Sequence, residues 1–240
     1  MIVRDLGDAW QVVLQINHAD LSGDFARAWA EPGGRHDALT LAAARHDDGW
    51  AVWERSPLVD EIGKPINFFD VSVLSHLAFY RACIAAVTEE DPYAGLLISM
   101  HGAGIYRQRY GLDPALPLLT EANAHKPVVD AFVAEQESGY EERIAAVHAA
   151  EEERWHDFGL LELYDRLSLY FCMKDVEGGE AAELQGYRLE PVAPWRVRID
   201  PFPFAESPAQ FSLLRRLVPK NGRPDVLAVE PARVALTLER

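Results

Sequence analysis

The stretch Ala44-Arg45-His46-Asp47-Asp48-Gly49-Trp50, ARHDDGW in one-letter code, decides how the rest of the chain is read. It closes a segment in which Leu39, Ala42, Ala43 and His46 share one face at helical spacing, and Gly49 stops that helix. Asp47 and Asp48 then stand in succession at a helix C-terminus, where the macrodipole disfavours negative charge. Such a pair calls for a compensating cation. Imidazole and carboxylate side by side suit a divalent transition metal.

Outward from this stretch, the same combination recurs. A helix beginning near Asn17 carries His18, Leu21, Phe25 and Trp29 on one face. A third helix, capped by Ser72, lines up Val73, His76, Leu77, Tyr80 and Ile84. A fourth, opened by Asp91-Pro92, carries Leu96, Leu97, Met100 and His101, and Gly102 to Gly104 end it. A later helix over about residues 158–174 places Leu161, Asp165, Ser168, Leu169 and Cys172 on one stripe. His18, His46, Asp47, His76, His101 and Asp165 are therefore six potential ligands on the apolar sides of helices. A single core-facing histidine is ordinarily a satisfied structural residue. Four on separate helices, with two inward carboxylates that need partners, form a pattern that a divalent transition-metal pair (Fe, Mn or Zn) satisfies.

The composition sets bounds. The chain has 240 residues, 49% of them hydrophobic and 25% charged, room for one large domain or a domain with an appendage. A net charge of −15 argues against a duplex nucleic-acid partner, which would require a basic face. A small anionic substrate remains compatible, because a metal and a few arginines reverse the local field. Cys83 and Cys172 both fall inside helical patterns, so no disulfide framework is expected and a reducing cytoplasm fits. The first residues lack the features of a signal peptide, and no apolar run approaches the roughly 20 residues that span a bilayer. The expected location is the cytoplasm, away from membranes; the sequence leaves the oligomeric state open.

The expected fold is mostly α. Residues 1–175 read as a helical metal-binding domain with short N-terminal strands at Ile2-Val3 and from Trp10 to Ile16. Residues 50–70 read as an irregular loop, 105–126 as turn-rich, and Pro127 opens a long amphipathic helix to about Trp155. Residues 176–240 read as a β-rich C-terminal extension, with strands at Tyr187 to Leu189, Trp195 to Ile199 and Val234 to Leu238 forming a small sheet packed on the helices.

The order His, His-Asp, His, His, Asp, with Gly49 two residues after Asp47, resembles the HD-domain superfamily of metal-dependent phosphohydrolases. The six-ligand version is similar to its two-metal branches, which include cyclic-dinucleotide phosphodiesterases and mixed-valent di-iron oxygenases. The segments NHADLSG, ARHDDGW, SHLAFYRA, LLISMHGAG and YDRLSLY also resemble the bacterial family DUF3891, over most of the chain. The superfamily pattern implies a helical bundle with two metals. His18, His46, Asp47 and Asp165 would hold the first, Asp47 would bridge, and His76 and His101 would hold the second. A bridging hydroxide would then be the nucleophile, or the dioxygen-site ligand. One departure weakens the phosphate reading: Trp50 stands where many phosphohydrolases place a lysine.

Further candidates lie near these ligands. Asp48 is placed to hold a ligand imidazole or a water. Arg107 and Arg109, between Tyr106 and Tyr110, read either as a bidentate clamp for a substrate anion or as surface charges. Lys64 reads first as a solvated loop charge. Trp50, Trp53, Phe68 and Phe69 either line a pocket beside Asp47 or pack the loop on the bundle. The leading functional expectation is hydrolysis of a phosphate ester of a small molecule or nucleotide by a metal-bound hydroxide. Two alternatives stay open: a di-iron oxygenase on the same scaffold, and a non-catalytic binding module with a structural metal.

Overall fold

Two short strands, β1 (Ile2–Asp5) and β2 (Ala9–Val13), open the chain as an antiparallel hairpin. The computed structural model describes residues 1–240 except Pro32, Asp113, Asn221 and Arg223. Two helices follow, α1 (Gln15–Ala28) and α2 (His36–Arg45). A 3-10 turn over Asp48–Trp50 leads into the single-turn α3 (Ala51–Glu54). Two long helices come next, α4 (Val73–Glu90) and α5 (Pro92–Tyr106). Ser72 caps α4 by accepting from Ser75 N at 3.2 Å, and Asp91 caps α5 by accepting from Tyr93 N and Ala94 N at 2.8 and 2.9 Å. Proline at the first helical position of α5 is preorganised for that start.

Every residue of α5 from Tyr93 to Ile105 is buried. A helix apolar on all sides belongs in the middle of its packing, and α5 lies against α2, α4, α7, α8 and α9. It also runs through Gly102 and Gly104, which were expected to end it. A Cβ at Gly102 would sit 3.0 Å from the Tyr80 ring, so this glycine lets α5 approach α4 closely.

The turn-rich stretch contains a further helix, α6 (Pro117–Ala124). The long helix expected from Pro127 is instead divided into α7 (Lys126–Ser138) and α8 (Tyr140–Val147). His148 then takes a left-handed conformation at φ 50°, and α9 (Glu151–Met173) starts afresh.

The largest correction concerns the sheet. The expectation of a mostly helical bundle with a small β-rich appendage does not hold: about half of the chain is helical, and seven strands form one curled mixed sheet. Its C-terminal strands are β3 (Ala182–Leu184), β4 (Tyr187–Ala193), β5 (Arg196–Asp200), β6 (Ala209–Pro219) and β7 (Ala232–Glu239). The order is β1-β2-β6-β7-β5-β4-β3, antiparallel except for the β5–β7 pair. β6 joins the two ends of the chain: Val12 pairs with Arg216 and Gln11 with Leu217. This strand escapes the sequence reading because Arg215 and Arg216 interrupt its apolar pattern. Arg215 finds partners within the fold, donating to Gln11 Oε1 at 2.7 Å and stacking 4.8 Å over the Trp195 ring.

An aromatic cluster fastens the sheet to the helices. Phe25 on α1 meets Phe211 on β6 at 4.7 Å between ring centroids and Phe204 at 5.9 Å. Trp29 meets Tyr164 on α9 at 5.0 Å and Tyr187 on β4 at 5.7 Å. Such pairs contribute about 0.5–1.5 kcal/mol each beyond their buried area. The sheet thus backs α1 and α9, and these two helices present their other faces to the centre of the molecule. No helix among the described residues is long and apolar enough to cross a membrane.

Candidate metal centre

The six ligand candidates come from five places: His18 on α1, His46-Asp47 after α2, His76 on α4, His101 on α5 and Asp165 on α9. All six are buried. The tight turn after α2 is held against α4 because residue 49 is glycine; a Cβ there would lie 2.0 Å from the Phe79 carbonyl oxygen. Gly23 on α1 likewise allows the α1–α2 approach, since an added Cβ would stand 2.5 Å from the Ala44 Cβ.

His18, His46, Asp47 and Asp165 converge. His18 Nε2 lies 3.0 Å from Asp47 Oδ2 and 3.7 Å from Asp165 Oδ1. His46 Nε2 lies 3.2 Å from His18 Nε2, 3.6 Å from Asp165 Oδ1 and 3.7 Å from Asp47 Oδ2. Two overlapping groups have ligand atoms within 4.8 Å of one another: His18, His46 and Asp165, and His46, Asp47 and His101. They share His46, but one imidazole nitrogen holds one ion, so only a carboxylate can be common to two. His76 stands in neither group; it lines the same cavity as Asp47 and His101.

Every one of the four histidines is anchored through Nδ1. The partners are Ser168 Oγ at 2.6 Å for His18, the Ala43 carbonyl at 2.9 Å for His46, Tyr106 Oη at 2.6 Å for His76, and Tyr110 Oη for His101. Ser168 donates its own proton to the Asp165 carbonyl at 2.8 Å, so it accepts from His18 Nδ1–H. The Ala43 carbonyl can only accept. Both rings are therefore protonated on the outer nitrogen, and in the neutral form their Nε2 lone pairs face each other and the Asp47 carboxylate. That arrangement is repulsive unless a proton or a cation lies between. Anchoring of the outer nitrogen is the usual support of a metal-bound imidazole.

The electrostatics favour a positive charge at this point, which a proton on His46 also supplies. Burial works against both charges of the His46–Asp47 pair, but the attraction of the two for each other outweighs it. His46 is pushed up to about 9 by Asp47 and Asp165, and Asp47 is held well below the carboxylate range. Asp165 is also lowered: burial opposes its charge, and His46 and His18 outweigh burial. Burial pulls His76 and His101 down to about 4, which keeps them neutral, with a lone pair available, at ordinary pH. No lysine or arginine pairs with Asp47 or Asp165 among the described residues. Their polar neighbours are the histidines, Gln15 Nε2, which donates to Asp47 Oδ2 at 3.0 Å, and Tyr80 Oη, 3.3 Å from Asp47 Oδ1 and 2.9 Å from His101 Nε2. Gln15 Oε1, also buried, has no hydrogen-bond partner among the described residues. Buried histidine and carboxylate donors grouped in this way could hold a borderline transition-metal ion.

The centre forms the floor of a cavity of about 90 Å³. Its walls are Phe68, Phe69, Ile105, Leu112, Leu118 and Leu169, and Arg166 stands among them. Phe68 and Phe69 thus line the cavity, whereas Trp50 packs on His76 and Phe79 at 5.4 and 4.9 Å and Trp53 rests against Trp50. Lys64 does not border the cavity; its backbone N–H is held by Asp60 Oδ1 at 2.9 Å.

Three further candidates lie elsewhere. Asp48 is engaged by Arg45, which also pairs with Glu90, and holds no ligand imidazole. Arg107 pairs with Glu137 at the surface. Arg109 stacks over Trp155 at 4.9 Å, away from the cavity lining. Sequence reasoning missed the supporting shell of Gln15, Tyr80, Tyr106, Tyr110 and Ser168. The stripe position of Ser168, three residues after Asp165, and that of Tyr80, four after His76, were the signals that could have shown it. Arg166, which the sequence did not single out, shares the cavity with its neighbour Asp165.

Fold and centre together define a helix-and-sheet protein built around a buried histidine–carboxylate cluster. The chain matches, over residues 1–220, the family described as Protein of unknown function (DUF3891), and belongs to it. No curated protein and no solved structure matches it.

Proposed function

We propose that this protein is a metal-dependent hydrolase acting on a phosphate ester, with two divalent transition-metal ions held by His18, His46, Asp47, His76, His101 and Asp165. The observation that carries the reading is the facing of the His18 and His46 Nε2 atoms, 3.2 Å apart, over Asp47, with both outer nitrogens already committed. Asp47 is the residue to be shared between the ions: its Oδ2 borders His18, and its Oδ1 borders the Tyr80 hydroxyl that reaches His101. The ligand order resembles that of the HD superfamily, which supports the hydrolytic reading.

Bound there, such a pair lowers the pKa of a water to near neutrality and offsets charge developing on the phosphoryl group. The chain's own groups do the rest. Gln15 and Tyr80 fix the two oxygens of Asp47. Burial and the nearby Asp47 push the Tyr80 hydroxyl well above its ordinary value, so on the cavity wall it stays protonated and serves as a hydrogen-bond donor. Phe68, Phe69 and Leu118 limit water to what the cavity admits.

The test is phosphate release from a panel of phosphate esters by protein loaded with Mn, Fe or Zn. Turnover that disappears in Asp47→Ala is the expected result. Iron with a mixed-valent paramagnetic signal and no phosphate release would instead assign a di-iron oxygenase. Bound metal with neither property would leave a structural metal in a binding module.

A further inference from the structure

Tyr80 stands where the two halves of the cluster differ. It lies on α4, one turn after His76, and its ring packs on α5 where a Cβ at Gly102 would come within 3.0 Å. Its hydroxyl lies 2.9 Å from His101 Nε2 and 3.3 Å from Asp47 Oδ1. His46, Asp47 and His101 form one of the two groups with metal-ligand spacing, so Tyr80 touches two of its three members. In the other group, His18, His46 and Asp165, no hydroxyl among the described residues reaches the Nε2 of either histidine.

The Tyr80 hydroxyl has one proton to give. Given to Asp47 Oδ1, it leaves the hydroxyl oxygen to accept from His101 Nε2–H, while His101 Nδ1 accepts from the Tyr110 hydroxyl. That tautomer has no lone pair at Nε2. Given instead to His101 Nε2, the proton engages the lone pair that a metal would need. An imidazole nitrogen has one lone pair, so in both arrangements His101 Nε2 is taken while the hydroxyl keeps its position. His18 and His46 are the opposite case. Ser168 and the Ala43 carbonyl hold their protons on Nδ1, and their Nε2 lone pairs are turned to the centre.

Resting on the two-metal reading above, we propose that the Tyr80 hydroxyl holds the place of the second ion: the first ion meets a prepared set of donors, and the second binds only by displacing the hydroxyl from Asp47 and His101. The exchange balances in protons. The hydroxyl keeps its own, and a His101 that begins with its proton on Nε2 moves it to Nδ1, where Tyr110 Oη accepts. Tyr80 borders the cavity, so the displaced hydroxyl has open space beside it.

The experiment is a titration of metal-free protein with zinc ion alone, in competition with a chelator, giving the two stepwise dissociation constants. Wild type, Tyr80→Phe, Tyr80→Leu and Gln15→Leu are compared, with circular dichroism as the check on folding. In the wild type the second ion is expected to bind more weakly than the first. Tyr80→Phe should tighten the second by about tenfold, the scale of a hydrogen bond to a charged group, and leave the first nearly unchanged. Tyr80→Leu, which also lacks the hydroxyl, repeats the test if the Phe variant folds poorly. Gln15→Leu removes a donor from the other oxygen of Asp47 and should not tighten the second ion. One ion in the wild type and two in Tyr80→Phe would equally support the proposal. A second constant that is unchanged or weaker without the hydroxyl would overturn it, the weaker result making Tyr80 a support of the ion. Equal tightening in Gln15→Leu would overturn it too, because loosening of Asp47 would then explain both. Failure of every form to bind zinc removes the metal reading and this proposal together, whereas two ions bound with the same constants in wild type and Tyr80→Phe defeat this proposal alone.

Discussion

At the scale of single residues, the centre depends on groups that never reach its middle. Ser168 accepts from His18 Nδ1, accepts again from Ser22 Oγ at 2.9 Å, and donates to the Asp165 carbonyl. It therefore sets the tautomer of His18 and ties it to the helix bearing Asp165. Ser168→Ala should weaken metal affinity by about 10–100-fold, the usual range for loss of such a support. Asp48→Ala, which only frees Arg45, should leave it unchanged. Competition against a chelator measures both; equal affinities in the two variants would remove the role given to Ser168. Glu162 offers a separate test. Burial pushes its carboxyl up to about 7, with Arg166 only partly opposing, and Oε1 has no hydrogen-bond partner among the described residues. The folded state thus holds this proton more tightly than the unfolded chain, whose carboxyl ionises near the ordinary 4.5. Stability is lost as pH rises through that interval and stays lower above it. Relative to wild type, Glu162→Gln should gain denaturation temperature above pH 7 and gain none near pH 4.5. A gain independent of pH would show that the carboxyl charge is not its cause.

At the scale of elements, the turn after α2 is the most demanding. The turn that carries His46 and Asp47 runs against the Phe79 carbonyl at Gly49, where no side chain fits. In Gly49→Ala the turn must move off α4, at a cost of about 1–3 kcal/mol from overpacking. The urea midpoint should fall with the m-value unchanged; an unchanged midpoint would mean that the approach is looser than described. The helical faces carrying the ligand candidates were legible in the sequence because their 3.6-residue period is local, and so were the caps Ser72 and Asp91. Elements decided by packing were not. α5 passes through Gly102 because Tyr80 fills the space a side chain would occupy, and the helix expected after Pro127 breaks near Gly139 and at His148.

At the scale of the whole molecule, the sheet is what local reading could not reach. β2 and β6 pair across nearly the full chain, and β6 carries two arginines whose partners lie on distant elements or loops: Gln11 and Trp195 for Arg215, and the Val229 carbonyl for Arg216. The three C-terminal strands that were expected do exist, but as parts of a seven-stranded sheet that begins at residue 2. The sheet backs α1 and α9, so it indirectly sets the positions of His18 and Asp165. The meeting of six ligand candidates was visible as a shared inward phase, whereas the tyrosines and Arg166 around them depend on which helices face one another. The central claim is that this meeting holds metal. Elemental analysis by mass spectrometry of protein purified without added metal, and again after equilibration with Fe, Mn or Zn, tests it most directly. Two transition-metal ions per chain in the wild type, and loss of both in folded Asp47→Ala, is the expected result. A folded wild-type chain that remains free of metal in every case would contradict it.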